Sequence, residues 1–182
     1  MMWKSSFRIC TYVIVLALAL MGSMFRPVVV SGASMQPALH DGQVALMDRR
    51  STGVTSLKRG DVVVFHHGRE LFIKRVYALP GDAIRVLNFA NGATGFLGDD
   101  AFPANRILRF AKLKPYMVHI SRIVVPRDRV FVVGDNRTCS VDSRQFGPVA
   151  VDSIVGKVVS TREAIAALPH RLLPTAFASI EP

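Results

Sequence analysis

Cysteine is scarce in this sequence, with Cys10 and Cys139 the only two among 182 residues, so a disulfide-stapled fold is excluded. Acidic residues are also few. The chain has 13 Asp and Glu residues and 23 Lys and Arg residues, which gives a formal net charge of +10. The basic residues fall in short, separate clusters, a pattern that favours a solvated surface attracted to anionic lipid over a nucleic-acid groove.

Several catalytic signatures are missing. The glycines of residues 88–118 lack the GxGxxG spacing, and residues 32–36 fail GxSxG at the last position. Neither SxxK nor HExxH occurs, and no spacing singles out one of the five histidines as a base. These absences remove the nucleotide-binding, hydrolase-elbow, β-lactamase and zinc-protease interpretations. We predict a hairpin or excursion for residues 88–118.

Half of all residues are apolar, and an uncharged apolar stretch lies near the N-terminus. Residues 9–25 carry no charge and are flanked by Arg8 and Arg26. As a helix, 17 residues span about 26 Å, the short end of what crosses a bilayer. We predict a transmembrane helix over 9–25, a cytoplasmic N-terminus over 1–8 and an extracytoplasmic remainder, because basic flanks stay in the cytoplasm. The alternative is a cleavable secretory signal ending at Ser31-Gly32-Ala33.

The rest of the chain alternates short β-branched runs with turn residues, and no long amphipathic helix intervenes. We predict a mainly β, extracytoplasmic catalytic domain over residues 27–160, built as a bent antiparallel sheet or partial barrel. Residues 161–182 form a C-terminal tail of unknown role. The predicted strands are Gln43–Met47, Asp61–Phe65, Glu70–Leu79, Asp82–Leu87, Arg129–Val133 and Ile154–Val159.

Two residues suggest nucleophilic chemistry. Ser34 lies eight residues after Arg26, within about 27 Å of the predicted membrane boundary. Its hydroxyl is a weak nucleophile without a base. Strand alternation places Lys74 on the face of Phe72 and Val76, where burial would lower the pKa of the amine and make it a proton acceptor. The alternative is a lysine whose stem lies on the sheet while its amine reaches solvent.

A third polar cluster, residues 134–147, follows an apolar strand. Asp142 and Arg144 are two residues apart, so a local ion pair is feasible in a tight loop. Ser140 and Ser143 could supply hydroxyls that orient an amine. The alternative is a polar hairpin with Asx-type turns.

Taken together, these motifs resemble the type I signal peptidases, membrane-bound serine proteases that use a serine-lysine dyad. The resemblance extends over residues 9 to about 160. Its last segment, GDNR followed by SxDSRxFG, is highly specific. Four segments carry it in family order: residues 34–39, 59–63, 73–82 and 134–147.

The resemblance implies a role for each of six matching positions. In chain order these are Ser34 as nucleophile, Met35 beside the substrate groove, Lys74 as general base, Ser140 as the hydroxyl that orients the lysine amine, and Asp142 with Arg144 as the ion pair that braces the loop.

The sequence departs from the family at the position two residues before the nucleophile, where many members carry an oxyanion-hole hydroxyl. Here that residue is Gly32. Either a backbone N–H compensates or Ser31 reaches in, and we expect the backbone N–H. Thr138 and Cys139 also replace the acidic and amide residues common in the loop.

The implied activity is removal of N-terminal signal peptides from exported preproteins, after small residues, through an acyl-enzyme and without metal or cofactor. The implied partners are preproteins and the phospholipid bilayer, at the outer face of the plasma (inner) membrane. Alternatives are a conjugation-type peptidase, a mitochondrial inner-membrane relative, and an inactive membrane-anchored binding module. A self-cleaving repressor shares the dyad but needs a DNA-binding domain where this chain has an apolar helix.

Overall fold

The computed structural model describes residues 11–12, 22–50, 52–97, 109, 112 and 116–159, and strands dominate that part of the chain. They are β1 (Phe25–Val29), β2 (Val44–Asp48), β3 (Val62–His67), β4 (Glu70–Ala78), β5 (Ala83–Phe89), β6 (Thr94–Phe96), β7 (Val118–Val124), β8 (Arg129–Val133), β9 (Val149–Ala150) and β10 (Ile154–Val159). A short helix, α1 (Ser143–Phe146), and the 3-10 turns Val54–Ser56 and Val151–Ser153 complete it.

Two antiparallel sheets arise from these strands. The larger has the order β1-β2-β10-β3-β4-β8-β9, and the smaller has the order β6-β5-β7. Register shifts interrupt β4 between Val76 and Ala78, and β10 between Ile154 and Gly156. Such irregularities bend a strand and increase its twist. The prediction of a mainly β, antiparallel fold is confirmed, and each predicted strand matches an observed one to within two residues at either end.

The central strands read as apolar runs because they are buried on both faces. In β8, Val130 and Val132 enter one hydrophobic cluster with Val63 and Phe65, while Phe131 and Val133 enter a second cluster between the sheets. A third cluster lies behind the turn that follows β1; its buried members are Val30, Met35, Leu39 and Ala45. The third cluster anchors the segment that carries Ser34.

The predicted membrane helix was wrong at its last residue. Phe25 begins β1, where it pairs with Asp48 of β2 and is buried under the Arg50 guanidinium, which lies 5.0 Å from the ring centroid. Pro27 is tolerated there because β1 is an edge strand. Residues 11–12 and 22–24 are helical, and the rest of the predicted span lies outside the described residues.

Within the described ranges, no helix is both long and apolar enough to cross a bilayer. The predicted cytoplasmic segment 1–8 and tail 161–182 lie outside those ranges. The hairpin predicted in the 88–118 region is the β5–β6 pair, which turns at Asn91-Gly92. The sequence analysis missed β7, which pairs with β5 along seven residues.

Candidate active site

Ser34 lies in the turn between β1 and β2. The turn is closed by Val30, whose N–H donates to Gln43 O and whose carbonyl accepts from Gly42 N–H, both at 2.9 Å. Met35, 1% exposed, fixes the next position by packing in the third cluster. The Ser34 carbonyl accepts from Asn136 N–H at 3.0 Å, which ties the turn to the loop after β8.

Gly32 has a backbone conformation that explains its residue type. Its φ is +85°, a region in which side chains with a Cβ are strained. Its N–H donates to the Asp41 carboxylate at 2.7 Å. A hydroxyl-bearing residue at this position would therefore cost backbone strain in the observed turn.

Lys74 lies in the middle of β4 and is only 4% exposed. Its Nζ lies 2.9 Å from Ser34 Oγ and 2.9 Å from the Ile73 carbonyl oxygen. The Phe72 ring centroid is 5.4 Å from Nζ. The geometry thus brings together the two residues that the sequence analysis paired, across 40 positions of chain.

The surroundings of Lys74 disfavour its charged form. Burial lowers the pKa of the Lys74 amine, and the negative charge of Asp142 only partly opposes this effect. No carboxylate in the described part of the chain forms a salt bridge with Nζ. These surroundings therefore increase the fraction of neutral amine, the form that can accept a proton.

Asp142 organises the loop after β8. It is fully buried and its carboxylate accepts from Arg144 Nε and Nη2, both at 2.8 Å, and from Gly134 N–H at 3.0 Å. Asp142 also caps α1, and its own N–H donates to Gln145 Oε1 at 2.9 Å. Burial alone would raise the pKa of Asp142, but these hydrogen bonds hold it below its ordinary value. The local ion pair that the spacing suggested is thus present and buried.

Gly134 allows two parts of the site to meet. A Cβ at this position would lie 2.2 Å from Ser140 Oγ and 2.6 Å from the Ser34 carbonyl oxygen. Any larger residue would push the Ser34 turn away from the loop. Ser140 Oγ is buried here beside Asp142, whose pKa it helps to lower. Its predicted contact with the Lys74 amine is not formed in this structure, because Nζ bonds to Ser34 Oγ and the Ile73 carbonyl instead.

A cleft of about 390 Å³ opens beside Ser34 and Lys74. Its walls come from β1, the turn after it and the first half of β4, and they are mostly apolar. The lining residues include Val28, Val30, Ser31, Met35, Phe72 and Ile73. Such a cleft can hold an extended peptide against the serine.

Known proteins resemble this chain over most of its length. The sequence matches the family described as signal peptidase, peptidase S26, over residues 3–161. The chain belongs to this family. It is 35% identical to signal peptidase I of Bacillus amyloliquefaciens, over 72% of this chain and 71% of that protein. The prediction of a signal peptidase hydrolase is confirmed.

Further relatives agree. Signal peptidase I of Bacillus caldolyticus is 33% identical over 74% of this chain and 78% of its own. A crystal structure of a signal peptidase I from Enterococcus faecalis is 27% identical and covers 57% of this chain and 97% of that one; its TM-score of 0.36 is too low to carry a structural argument.

Of the ion pairs that sequence reasoning missed, one lies directly beside the candidate site. Arg75, next to Lys74, donates to the Asp135 carboxylate through Nε at 2.7 Å and Nη2 at 2.6 Å, and through Nη1 to the Gly60 carbonyl at 2.7 Å. The pair locks the lysine strand to the loop that follows β8. Only the pairing of β4 with β8, at Arg75 and Val133, brings these side chains together, and no local pattern indicates that pairing.

Proposed function

We propose that this chain is a membrane-anchored serine endopeptidase that removes N-terminal signal peptides from exported preproteins, with Ser34 as nucleophile and Lys74 as general base. The observation that supports it best is the 2.9 Å contact between Ser34 Oγ and a buried amine with a lowered pKa. A neutral amine at that distance can take the hydroxyl proton as the oxygen attacks.

The reaction proceeds in two steps. In the first, Ser34 Oγ attacks the scissile carbonyl, Lys74 Nζ receives the proton and passes it to the leaving amine, and an acyl-enzyme forms. In the second, Lys74 takes a proton from a water molecule as that water attacks the ester carbonyl. The ester bond to Ser34 Oγ then breaks, and Lys74 returns the proton to that oxygen, which regenerates the serine hydroxyl and the neutral amine. The Ile73 carbonyl accepts a hydrogen bond from one N–H of the Lys74 amine. This bond orients the amine so that the nitrogen lone pair points at the Ser34 hydroxyl.

The loop after β8 supports this dyad. Asp142 and Arg144 brace the loop, and the Asn136 N–H holds the Ser34 carbonyl in place. We assign Ser140 as the hydroxyl that orients the amine when a small side-chain rotation brings it into contact. Its hydroxyl lies beside Gly134, where the Ser34 turn makes its closest approach to the loop, and this proximity supports that role.

The oxyanion is stabilised by the Ser34 backbone N–H, which donates to no acceptor among the described residues. The Gly32 N–H is committed to Asp41. Ser31 lines the cleft and is the nearest hydroxyl on the same turn, but the backbone donor requires no rearrangement.

Substrate choice follows from the cleft walls. Met35 and the β-branched residues of β1 and β4 narrow the space beside Ser34, so we expect small side chains immediately before the cut and two residues earlier. The substrate class is therefore a preprotein with small residues at those positions.

Residues 9–24 supply the membrane anchor, residues 1–8 stay in the cytoplasm, and residues 27–160 act at the outer face of the plasma membrane. The uncharged apolar sequence with basic flanks supports this topology. Alkaline extraction of membranes and protease protection of residues 27–160 test it; extraction of the chain into the soluble fraction would refute the anchor.

The activity is tested with purified chain in detergent and one labelled preprotein, comparing wild type with Ser34→Ala. We expect cleavage after a small residue in wild type and none in Ser34→Ala. Ser56→Ala is the matched control, because the Ser56 hydroxyl donates to Gly53 O and Ser56 is not a lining residue of the cleft. Turnover that survives in Ser34→Ala would remove the serine from the mechanism.

A further inference from the structure

A second cavity, of about 560 Å³, lies where the smaller sheet meets the end of β4. It shares no lining residue with the cleft at Ser34. Its walls carry three guanidinium groups, from Arg59, Arg85 and Arg122, against a single carboxylate, Asp82. We call it the arginine cavity.

Two of the arginines face each other across the sheet. Arg85 of β5 and Arg122 of β7 are direct partners in the antiparallel register. Side chains at such positions start about 4.5–5.5 Å apart at Cβ, and like charges there repel. Neither guanidinium has a hydrogen-bond or ion-pair partner among the residues that the structure describes.

The acid in the cavity does not neutralise this pair, because it is committed elsewhere. Asp82 accepts from Arg59 Nε at 3.1 Å and from Arg59 Nη2 at 2.6 Å, and it also accepts from Leu79 N–H at 2.6 Å. The charges of Arg59 and Asp82 therefore cancel. The positive charges of Arg85 and Arg122 remain in the cavity without a counter-ion among the described residues.

We propose that the arginine cavity binds a phosphate group between Arg85 and Arg122. In this chain a single carboxylate is satisfied by one guanidinium fork, as Asp135 is by Arg75 and Asp142 by Arg144. Two adjacent forks match the greater number of oxygens on a tetrahedral phosphate. The cavity lining also includes Leu97, an apolar contact that suits a phosphate that carries a glycerol or lipid substituent.

The proposal concerns a binding site remote from Ser34 and does not rest on the proposed function. Its test reads binding rather than cleavage. The full chain is kept in a phosphate-free detergent at constant ionic strength, and its melting temperature is followed in two arms. One arm adds inorganic phosphate or glycerol 3-phosphate; the other dopes the micelles with phosphatidic acid, against diacylglycerol with the same acyl chains.

We expect a saturable rise in melting temperature. A response to soluble phosphate compounds identifies a free phosphate ligand, and a response to phosphatidic acid alone identifies a lipid headgroup. The variant Arg85→Lys/Arg122→Lys keeps both charges but loses both forks, and should bind about tenfold or more weakly. Arg127→Gln, an exposed arginine outside the cavity, should bind as wild type. No saturable response in either arm, or equal affinity in the double variant, would overturn the proposal.

Arg85→Gln without ligand gives a second readout. Removing one of two like charges should leave the melting temperature at low salt unchanged or raise it by a degree or two. A fall of several degrees would mean that a group of this chain already pairs with Arg85, and the phosphate site would be withdrawn.

Discussion

Lys74 and Arg144 are both buried cations, but their surroundings differ and so do their consequences. The Arg144 side chain is 3% exposed and faces the Asp142 carboxylate in a two-pronged ion pair. Lys74 is 4% exposed and faces a hydroxyl and a carbonyl oxygen instead. Burial with a counter-ion preserves the charge and stiffens a loop, whereas burial without one lowers the pKa of the cation.

The comparison also explains why the two residue types are not interchangeable. A guanidinium stays charged under all ordinary conditions and its fork fits a carboxylate, whereas an ammonium loses its proton readily when buried. Arginine at position 74 would be a buried charge without a partner, and lysine at position 144 would lose one of the two prongs.

The largest effect is expected from removing the lysine amine. Lys74→Met keeps the apolar contacts of the stem and should lower preprotein cleavage by about 10⁴-fold or more, as loss of one member of a catalytic unit does elsewhere. The melting temperature should be preserved or increased. Lys157→Met is the matched control, because this lysine lies on β10 and contacts Asp61 at 3.5 Å. Cleavage retained in Lys74→Met would place the base on another residue.

The ion pair between Asp142 and Arg144 should affect mainly the stability of the fold. Asp142→Asn leaves Arg144 buried without a counter-ion, so we expect the free energy of unfolding to fall by about 3–5 kcal/mol, with a reduced cleavage rate. Chemical denaturation measures it. Asp61→Asn is the control; it should lower the free energy of unfolding by about 1 kcal/mol or less, because the contact of Asp61 with Lys157 is long and partly exposed.

The pH dependence of stability checks the same carboxylate. Because the pKa of Asp142 is lowered in the folded state, its stabilising contribution is present above the pKa of the unfolded chain and is lost as pH falls through the folded value. Asp142→Asn should flatten that acid loss. An unchanged acid profile would assign the loss to other groups.

A counter-ion placed beside Lys74 should make it behave more like Arg144. In the proposed mechanism cleavage requires the neutral amine, so kcat/KM should fall as pH drops through the Lys74 pKa, about tenfold per pH unit. Phe72→Asp puts a carboxylate on the same strand face, raises the Lys74 pKa and moves this acid limb to higher pH. Phe72→Asn separates charge from lost packing. If kcat/KM falls over the same acidic pH range in Phe72→Asp and Phe72→Asn, the Lys74 pKa does not determine the pH dependence of cleavage.

The smallest effect is expected at Ser31. If the Ser34 backbone N–H serves as the oxyanion donor, Ser31→Ala should change kcat by less than about threefold, whereas loss of a real oxyanion donor costs about 10²–10³-fold. Steady-state cleavage of one preprotein decides this. A hundredfold loss would move the donor from the backbone to the Ser31 hydroxyl.

Local pattern was enough to predict β4 and the face on which Lys74 lies, because nine residues of alternation leave little ambiguity. It was not enough for β1, which follows an uncharged run without a break and contains Pro27. The strand β7 was missed because the segment before it offers no clear turn, although Ile120 and Arg122 fall on the face opposite Ser121.

Parts of the site depend on contacts between distant segments, and these could not be predicted. The sequence places Gly134 in a motif, but only the fold shows that a Cβ there would collide with both Ser34 and Ser140. The bond between Asp135 and Arg75 similarly needs β8 beside β4. Spacing made an ion pair between Asp142 and Arg144 feasible, because the two residues lie two apart in one tight loop, and the family resemblance implied it.

The hydroxyl and amine at the centre of the cleft belong to segments 40 residues apart, and the loop that braces them comes after β8 has joined β4. A ribosome that has produced only the first hundred residues has therefore made both reacting groups but not the frame that aligns them. Under the proposed mechanism, cleavage activity therefore arises only after β8 has been synthesised and has joined β4.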